Sequence, residues 1–292
     1  IWLPGNSETT AILLGAVAVT IVGALDDIFD LPAMVKLLGQ IVAATIPVAA
    51  GVRPDVLTLP FIGGFDLGWT AYPLTVIGIV AVVNIVNLMD GIDGLAAGVV
   101  AIAASAMAII ALSLDRYEAA VLAAVTAGGA LGYLRHGFPP ASSFMGDAGS
   151  NLLGYMIAVA SIQGALKTNA VVALAFPLVI LAVPILDTGF VVAKRLKYHQ
   201  PIYQADRWHF HHRMANKGFS QRRTLAYLYG WTLVLAGSAL ALRFVPYSDN
   251  HGHFNLPWTL LMVSVIIAAI AVSAYLVYVL EIIKLRRTDS GP

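Results

Sequence analysis

Two kinds of residue are scarce in this chain of 292 residues: cysteine is absent, and charged residues make up only 11%. Without cysteine, the chain can form no disulfide bond, and no thiolate can act as a nucleophile or a metal ligand. Because 59% of the residues are hydrophobic, the chain has too little polar surface for a water-soluble domain. This composition, with a mean hydropathy of +0.82, predicts a polytopic helical membrane protein.

Apolar runs are the abundant feature, and nine of them are long enough to cross a bilayer as helices. We predict spans at about 10–25, 34–50, 70–87, 95–114, 119–134, 151–165, 170–192, 224–244 and 257–282. In the connection 51–69, two short alternating runs flank Gly63 and Gly64, a pattern that predicts a β-hairpin. The expected fold class is all-α, a polytopic integral membrane bundle of about nine helices with a short external β-hairpin.

Lysine and arginine are distributed unevenly between the two predicted sides of the membrane. All but four of the 17 fall on one side, and the exceptions are Arg53, Arg116, Lys167 and Arg243. The positive-inside rule places the basic side in the cytoplasm, with the N-terminus outside and the C-terminus inside. Residues 193–223 are then the main cytoplasmic loop.

Three aspartate clusters lie on this same side, and the first is LDDIFD. A carboxylate near hydrocarbon is costly and usually functional. Asp26 and Asp30 are four residues apart and share a face if the helix persists, whereas Asp27 would point elsewhere. The cluster could bind a metal or accept a proton, or it could be an interfacial cap paired with Lys36.

The second cluster is NIVNLMDGIDG, in which Asn84, Asn87 and Asp90 recur every three residues and form one polar stripe on a helix. The glycines that follow allow the chain to turn and keep Asp93 close. Oxygen ligands of this kind suit Mg²⁺. The alternative, in which the amides only join helices, is less favoured because so many polar residues occur together.

The third cluster is FMGDAGSN, which precedes an apolar helix. Asp147 or Ser150 could cap that helix, and its free N–H groups could also attract a phosphate. Phe144 could stack on a base or simply pack.

The stretch DRWHFHHR contains His209, His211, His212 and Arg213 within five residues. Zinc binding is one interpretation. A clamp for a diphosphate fits better, because the accompanying ligands are of the magnesium type and no thiolate is present. A loop that only sets topology would explain the basic residues but not three histidines.

With these motifs in order, the chain resembles the polyprenyl-phosphate N-acetylhexosamine-1-phosphate transferases. The matching elements are LDDIFDL with Lys36, NIVNLMDGIDGLAAG, FPPASSFMGDAGSN and HFHHRMANKGFS. The resemblance implies transfer of a sugar-1-phosphate from a UDP-N-acetylhexosamine to a polyprenyl phosphate, with release of UMP. It also implies a need for Mg²⁺, for which Mn²⁺ is a possible substitute.

The His-x-His-His form resembles the branch that transfers GlcNAc-1-phosphate to undecaprenyl phosphate and starts teichoic acid or O-antigen synthesis. The phospho-MurNAc-pentapeptide transferases of peptidoglycan synthesis, which typically carry a run of three histidines, are the alternative. Outside the family, a cation or proton transporter or an intramembrane aspartyl protease would also use membrane aspartates. A transporter should place them near the midplane, and the Gly-x-Gly-Asp of the protease is missing.

The resemblance also assigns roles to residues. It implies catalytic roles for Asp26, Asp27 and Asp90, and Mg²⁺ ligands at Asp147 and Asn87. Substrate contacts are expected from Lys36, Asn84, Asp93, Phe144, His209, His211, His212 and Arg213. Of these, Lys36 would lie near the lipid phosphate, Asp93 and Phe144 near the uridine, and the histidine loop over the diphosphate and sugar.

Residues 1–292 are expected to form one transmembrane catalytic domain in the bacterial inner membrane, in contact with the lipid bilayer and not with nucleic acid. A homodimer is possible. The chain departs from the family in two respects. Family members usually begin with two more helices, and Gly137 stands where many have Asn.

Overall fold

The computed structural model describes residues 7–59, 63–165, 182–197, 214, 218–246 and 255–279. Within these ranges it contains nine α-helices and one pair of β-strands. The helices are α1 (Ser7–Phe29), α2 (Ala33–Ala49), α3 (Ala71–Met89), α4 (Leu95–Ser113), α5 (Tyr117–Gly137), α6 (Gly146–Ala165), α7 (Ala182–Lys197), α8 (Gln221–Phe244) and α9 (Leu256–Val279).

The helices confirm the predicted fold class. Six of those described, α1, α3, α4, α5, α8 and α9, are long and apolar enough to cross a membrane, and α2 is apolar but shorter. The chain is therefore a multi-pass helical membrane protein. Most predicted spans match a helix to within a few residues, but α6 begins five residues before its predicted start. The first part of the predicted span 170–192 lies outside the described residues.

The predicted hairpin is present as β1 (Val56–Leu59) and β2 (Gly63–Asp66), which pair antiparallel. Its register differs from the prediction. Gly63 and Gly64 do not form the turn; they lie in β2, opposite Leu59 and Thr58. A glycine pair in a strand contributes no side chain to the sheet, which accounts for the short hairpin. The chain then continues through the 3₁₀ turn Gly68–Thr70 into α3.

Helix α6 lies at the centre of the bundle and packs against α1, α3, α4 and α5. Two glycines allow its backbone to approach its neighbours closely. A Cβ on Gly23 of α1 would lie 2.5 Å from the carbonyl oxygen of Asp147, and one on Gly154 of α6 would lie 2.7 Å from the Cα of Val83. Small residues at helix crossings are the usual route to close packing in membranes. Here they fix α6 against α1 and α3.

The connections bring alternate helix ends to the same level. At one end α1, α3 and α5 finish, and α2, α4, α6 and α8 begin. We call this the aspartate end, because it carries Asp26, Asp27, Asp90, Asp93 and Asp147. The other is the hairpin end, where Glu8 of α1 meets Gln163 of α6. The three aspartate clusters, far apart in sequence, therefore lie together, as predicted.

Candidate functional site

Lys36 contacts three polar side chains at the aspartate end. Its Nζ lies 3.0 Å from Asp26 Oδ2 and donates to Asn87 Oδ1 at 3.2 Å. It also forms a very close ion pair with Asp147 Oδ2. Lys36 belongs to α2, whereas its three partners come from α1, α3 and α6, so four helices meet at one ammonium group. We call Lys36, Asp26, Asn87 and Asp147 the Lys36 cluster.

Asn87 orients this cluster through the two ends of its amide. Its Oδ1 faces Lys36, and its Nδ2 donates to Asp147 Oδ1 and to Ser150 Oγ, both at 2.9 Å. Ser150 is fully buried. The amide therefore presents an oxygen toward the cation and holds the Asp147 carboxylate in place at the same time.

Asp27 has a position that the sequence did not predict. Its Oδ1 accepts a hydrogen bond from the Asp147 backbone N at 2.7 Å, and its Oδ2 accepts one from the Ala148 N at 3.0 Å. Asp27 thus points in a different direction from Asp26, as expected, but toward α6, which the sequence did not indicate. A carboxylate at a helix N-terminus satisfies free N–H groups and interacts favourably with the helix dipole.

The cap of α6 thus comes from α1, and not from Asp147 or Ser150 as predicted. The Ser150 hydroxyl instead donates to the Gly146 carbonyl oxygen. Gly146 has φ +66°, and a Cβ there would lie 2.6 Å from Asp27 Oδ2. Two of the N–H groups that were expected to attract a phosphate, those of Asp147 and Ala148, are already bonded to Asp27.

Asp30 does not share a face with Asp26. Helix α1 ends at Phe29, and Asp30 adopts a left-handed conformation with φ 49°. Asp26 Oδ1 closes this turn by accepting a hydrogen bond from the Leu31 N at 2.9 Å. One oxygen of Asp26 therefore fixes the α1–α2 connection, and the other faces Lys36.

Asp90 lies immediately after α3 and is half-buried. Burial raises its pKa to about 7, with further contributions from the negative charges of Asp147, Asp93 and Asp27. A carboxyl group with a pKa near neutrality can hold or release a proton at physiological pH, which is often seen at functional sites.

Asp93 anchors the segment 138–145. Its Oδ2 accepts a hydrogen bond from the Ala141 N at 3.2 Å. From the other side, Arg222 of α8 donates from Nε and Nη2 to the Pro139 carbonyl oxygen at 3.1 and 3.0 Å. Phe144, in the same segment, is 84% exposed and so does not pack as a core residue. The role of Arg222 was not predicted, because nothing in its sequence surroundings indicates a distant carbonyl partner.

Tyr133 occupies the space beside Gly137. A Cβ on Gly137 would lie 2.2 Å from the Tyr133 ring. The Tyr133 hydroxyl donates to the Ser143 carbonyl oxygen at 3.0 Å. An aromatic ring thus fills the position at which many relatives were expected to carry an Asn side chain.

Asn84 lies deeper than the Lys36 cluster. Its Nδ2 donates to Gln40 Oε1 at 2.7 Å, and Gln40 Nε2 lies 3.5 Å from Asn151 Oδ1. We call Gln40, Asn84 and Asn151 the amide layer. Sequence reasoning found Asn84 but missed the other two, although each lies four residues from a predicted site residue, Lys36 or Asp147.

Four of the predicted site residues, His209, His211, His212 and Arg213, lie outside the described residues. Within the part of the chain that the structure describes, no group of three or more His, Asp or Glu side chains could hold a metal ion by itself. Three side-chain oxygens do converge on the Lys36 ammonium, but only two of them belong to carboxylates. The third belongs to the amide of Asn87.

Comparison with known proteins places this chain in a family. Residues 9–165, more than half of the chain, match the model of glycosyl transferase family 4. The chain therefore belongs to that family, and so to the transferases. The matched segment runs through α1–α6 and includes the whole Lys36 cluster.

The chain is also similar to individual relatives over most of its length. The chain is 41% identical over 239 residues to a probable undecaprenyl-phosphate N-acetylglucosaminyl 1-phosphate transferase of Bacillus subtilis, covering 82% of this chain and 67% of that one. It is 36% identical to a decaprenyl-phosphate N-acetylglucosaminephosphotransferase of Mycobacterium leprae, over 82% of this chain and 66% of that one. It is 33% identical to a phospho-N-acetylmuramoyl-pentapeptide-transferase of Desulforamulus reducens, over 76% and 70%. The chain spans about two thirds of the length of these relatives.

Proposed function

We propose that the protein transfers N-acetylglucosamine-1-phosphate, or a related N-acetylhexosamine-1-phosphate, from a UDP-sugar to undecaprenyl phosphate. The products are the undecaprenyl-diphosphate-sugar and UMP. The observation that supports this most directly is the Lys36 cluster, in which two carboxylates and an amide oxygen surround one cation at the end of apolar helices. A reaction between two phosphate groups needs positive charge to balance their negative charge. The lipid substrate also needs a site at the membrane surface.

The Lys36 cluster suits a magnesium ion. Asp26, Asn87 and Asp147 each direct an oxygen toward the Lys36 ammonium, and hard oxygen donors of this kind are preferred by Mg²⁺. The ammonium thus marks the place at which oxygens from three helices converge. We assign Asp147 and Asn87 as the residues that would hold Mg²⁺, or Mn²⁺ in its place. When bound, the ion would neutralise charge on the diphosphate.

Lys36 is proposed to bind the phosphate of the lipid acceptor. An oxygen of that phosphate attacks the phosphorus that carries the sugar, and the bond to the UMP oxygen breaks. The acceptor phosphate, with a second pKa near ~6, is largely ionised at pH 7 and needs little help from a base. We therefore propose that Asp26 orients Lys36 and that Asp27 holds α6, so that both support catalysis through position.

Asp93 and Phe144 are proposed to contact the uridine, and the histidine loop to close over the diphosphate and sugar. The segment 138–145, held by Asp93 and Arg222, presents Phe144 to the surroundings, where its ring could stack on a base. We assign Asp90 to proton handling at the site. Its raised pKa and its position beside the other aspartates support this role.

The aspartate end is proposed to face the cytoplasm of a bacterial inner membrane, with the C-terminus inside. The basic residues support this orientation through the positive-inside rule. Synthesis of a cell-envelope polymer such as teichoic acid or O-antigen is the corresponding process. Residues 1–292 are proposed to form one catalytic unit, and a homodimer stays a prediction.

A second candidate is phospho-MurNAc-pentapeptide transfer, which the similarity to the Desulforamulus reducens protein favours. Transport of a cation is a weaker candidate, because the aspartates lie at helix ends and not near the membrane midplane.

One experiment separates these candidates. Purified protein in lipid nanodiscs is given undecaprenyl phosphate and either UDP-GlcNAc, UDP-GalNAc or UDP-MurNAc-pentapeptide, and UMP is measured. We expect UMP only with lipid acceptor and divalent cation, and fastest with UDP-GlcNAc. Preference for the pentapeptide donor would support the second candidate. Absence of UMP with every donor would contradict the proposal.

A further inference from the structure

The amide layer lies directly beneath the Lys36 cluster and repeats its arrangement. Gln40 comes four residues after Lys36 on α2, and Asn151 comes four after Asp147 on α6. On α3, Asn84 comes three residues before Asn87. Residues three or four apart lie on the same helical face. Each of the three helices thus carries one residue of the cluster and, one turn deeper, one carboxamide.

The three carboxamides are connected; Gln40 and Asn151 are buried, and Asn84 is half-buried. Gln40 is 1% exposed and Asn151 is fully buried. Asn84 Nδ2 donates to Gln40 Oε1 at 2.7 Å and to the Val80 carbonyl oxygen at 2.8 Å, and Gln40 continues toward Asn151. The Asn151 Nδ2 is buried without a hydrogen-bond partner among the described residues. A buried polar group that is not fully bonded costs stability, so apolar residues would fill this space at lower cost.

Holding the helices together does not require the layer. Helix α6 already touches the α3 backbone at Gly154 and the α1 backbone at Gly23. Hydrogen bonds between amides differ from such packing because they depend on direction. If α2 or α3 rotates about its own axis, the bond between Asn84 and Gln40 breaks, whereas apolar contacts slide.

We propose that the amide layer is a positioning device for the catalytic site. By fixing the rotation of α2, α3 and α6, Gln40, Asn84 and Asn151 determine where the Lys36 ammonium, the Asn87 amide and the Asp147 carboxylate meet. The layer acts through the Lys36 cluster, so we assign Asn84 as a positioning residue in place of the substrate contact expected from the sequence. This inference rests on the proposed function insofar as the cluster is the catalytic site.

The test compares Gln40→Met and Asn151→Leu with a matched control, Gln163→Met. Gln163 is another buried carboxamide on α6, but it lies at the hairpin end and donates to Glu8 Oε2 at 3.3 Å. Mn²⁺ binding is measured by electron paramagnetic resonance on purified protein in nanodiscs. The values of kcat and KM and the thermal midpoint are measured on the same samples.

For Gln40→Met and Asn151→Leu we expect kcat to fall about 10- to 100-fold, because displaced catalytic groups slow the reaction even when the fold is intact. We expect Mn²⁺ affinity to fall about 10-fold in the same variants. Their thermal midpoint should be unchanged or higher. For Gln163→Met we expect wild-type kcat and Mn²⁺ affinity. A lower midpoint in the two layer variants, with kcat and Mn²⁺ affinity unchanged, would show that the layer only joins helices. Wild-type values in all measurements would equally overturn the inference.

Failure of this inference can be told apart from failure of the proposed function. If the wild type releases no UMP but the layer variants still lose Mn²⁺ affinity, the layer does position the Lys36 cluster, and only the proposed reaction is wrong. If the wild type releases UMP but binds no Mn²⁺, only the metal assignment fails. The inference then stands if kcat falls in the layer variants and fails if kcat is unchanged. Should one layer variant not fold, the other decides, because the two lie on different helices.

Discussion

The two ends of the bundle use basic side chains in different ways. At the hairpin end, Arg243 of α8 donates to Ser113 at the end of α4, at 2.9 Å to Oγ and at 2.6 Å to the carbonyl oxygen. At the aspartate end, Lys36 faces two carboxylates and an amide oxygen from three helices. A guanidinium that binds a helix terminus stabilises the fold. Carboxylates gathered around one ammonium repel each other and cost stability, which indicates a functional use.

The largest effect that would test this contrast is expected from Asp147→Asn. The variant keeps its shape but loses the carboxylate closest to Lys36, so UMP release should fall by about 10³-fold, a loss typical for a key electrostatic group. The matched change at the hairpin end is Asp55→Asn, at a 73% exposed side chain near Arg53. It should leave activity within about twofold of the wild type. Near-normal turnover by Asp147→Asn at saturating Mg²⁺ would contradict the assignment of Asp147 as a Mg²⁺ ligand.

Next in size is the pair Lys36→Met and Arg243→Met. We expect Lys36→Met to lose about 10²-fold in kcat/KM for undecaprenyl phosphate, with its thermal midpoint retained. Arg243→Met should show the reverse, with a midpoint a few degrees lower and near-normal kinetics, because only a helix terminus loses its partner. Steady-state kinetics with each substrate varied and thermal unfolding of both variants provide the measurement. Equal loss of activity in the two variants would erase the distinction between the ends.

A smaller effect is expected for Asp27→Asn. The neutral amide has one acceptor oxygen in place of two, so α6 loses one of its two capping bonds and a favourable charge at its N-terminus. We expect stability to fall by about 1 kcal/mol and activity by about tenfold, because Asp147 lies in the first turn of α6. The hairpin-end control is Glu8→Gln, which should change activity little. A tenfold loss in both would indicate general destabilisation.

The smallest effect concerns pH. The pKa of Asp90 is raised to about 7 in the folded protein by burial and by neighbouring carboxylates. The folded state therefore binds a proton that the unfolded state has released between about pH 4 and 7, and stability falls as pH rises through this window. Asp90→Asn does not titrate, so its thermal midpoint should exceed that of the wild type by a few degrees at pH 8 and by less at pH 5. Thermal unfolding with a chelator present tests this, and parallel pH curves would contradict it.

Much of the fold followed from composition and spacing. Long apolar runs predicted the helices, because a bilayer demands them, and strict alternation of helix direction predicted that the three aspartate clusters would meet. The alternating runs at 51–69 predicted a hairpin. Its register was wrong, because glycines that often form turns here lie in β2, opposite Leu59 and Thr58.

The contacts that could not be predicted are those between helices. Asp27 caps a helix 120 residues away, and Arg222 binds a carbonyl oxygen 83 residues away. Such pairs depend on the rotation of each helix, which periodicity gives only to within a broad face. Gln40 was missed because it is a single polar residue in an apolar run, and Asn151 because it stands at the end of a motif whose Asp147 and Ser150 drew the attention. Only the fold shows that the two side chains meet.

Gly23 connects the packing of the bundle to the position of Asp147. A Cβ on Gly23 would lie 2.5 Å from the carbonyl oxygen of Asp147, so α1 and the first turn of α6 are in main-chain contact. A larger side chain at this position would force the two backbones apart, and Asp147 would move with its helix. Through this glycine, the distance between two main chains sets how far the Asp147 carboxylate stands from α1.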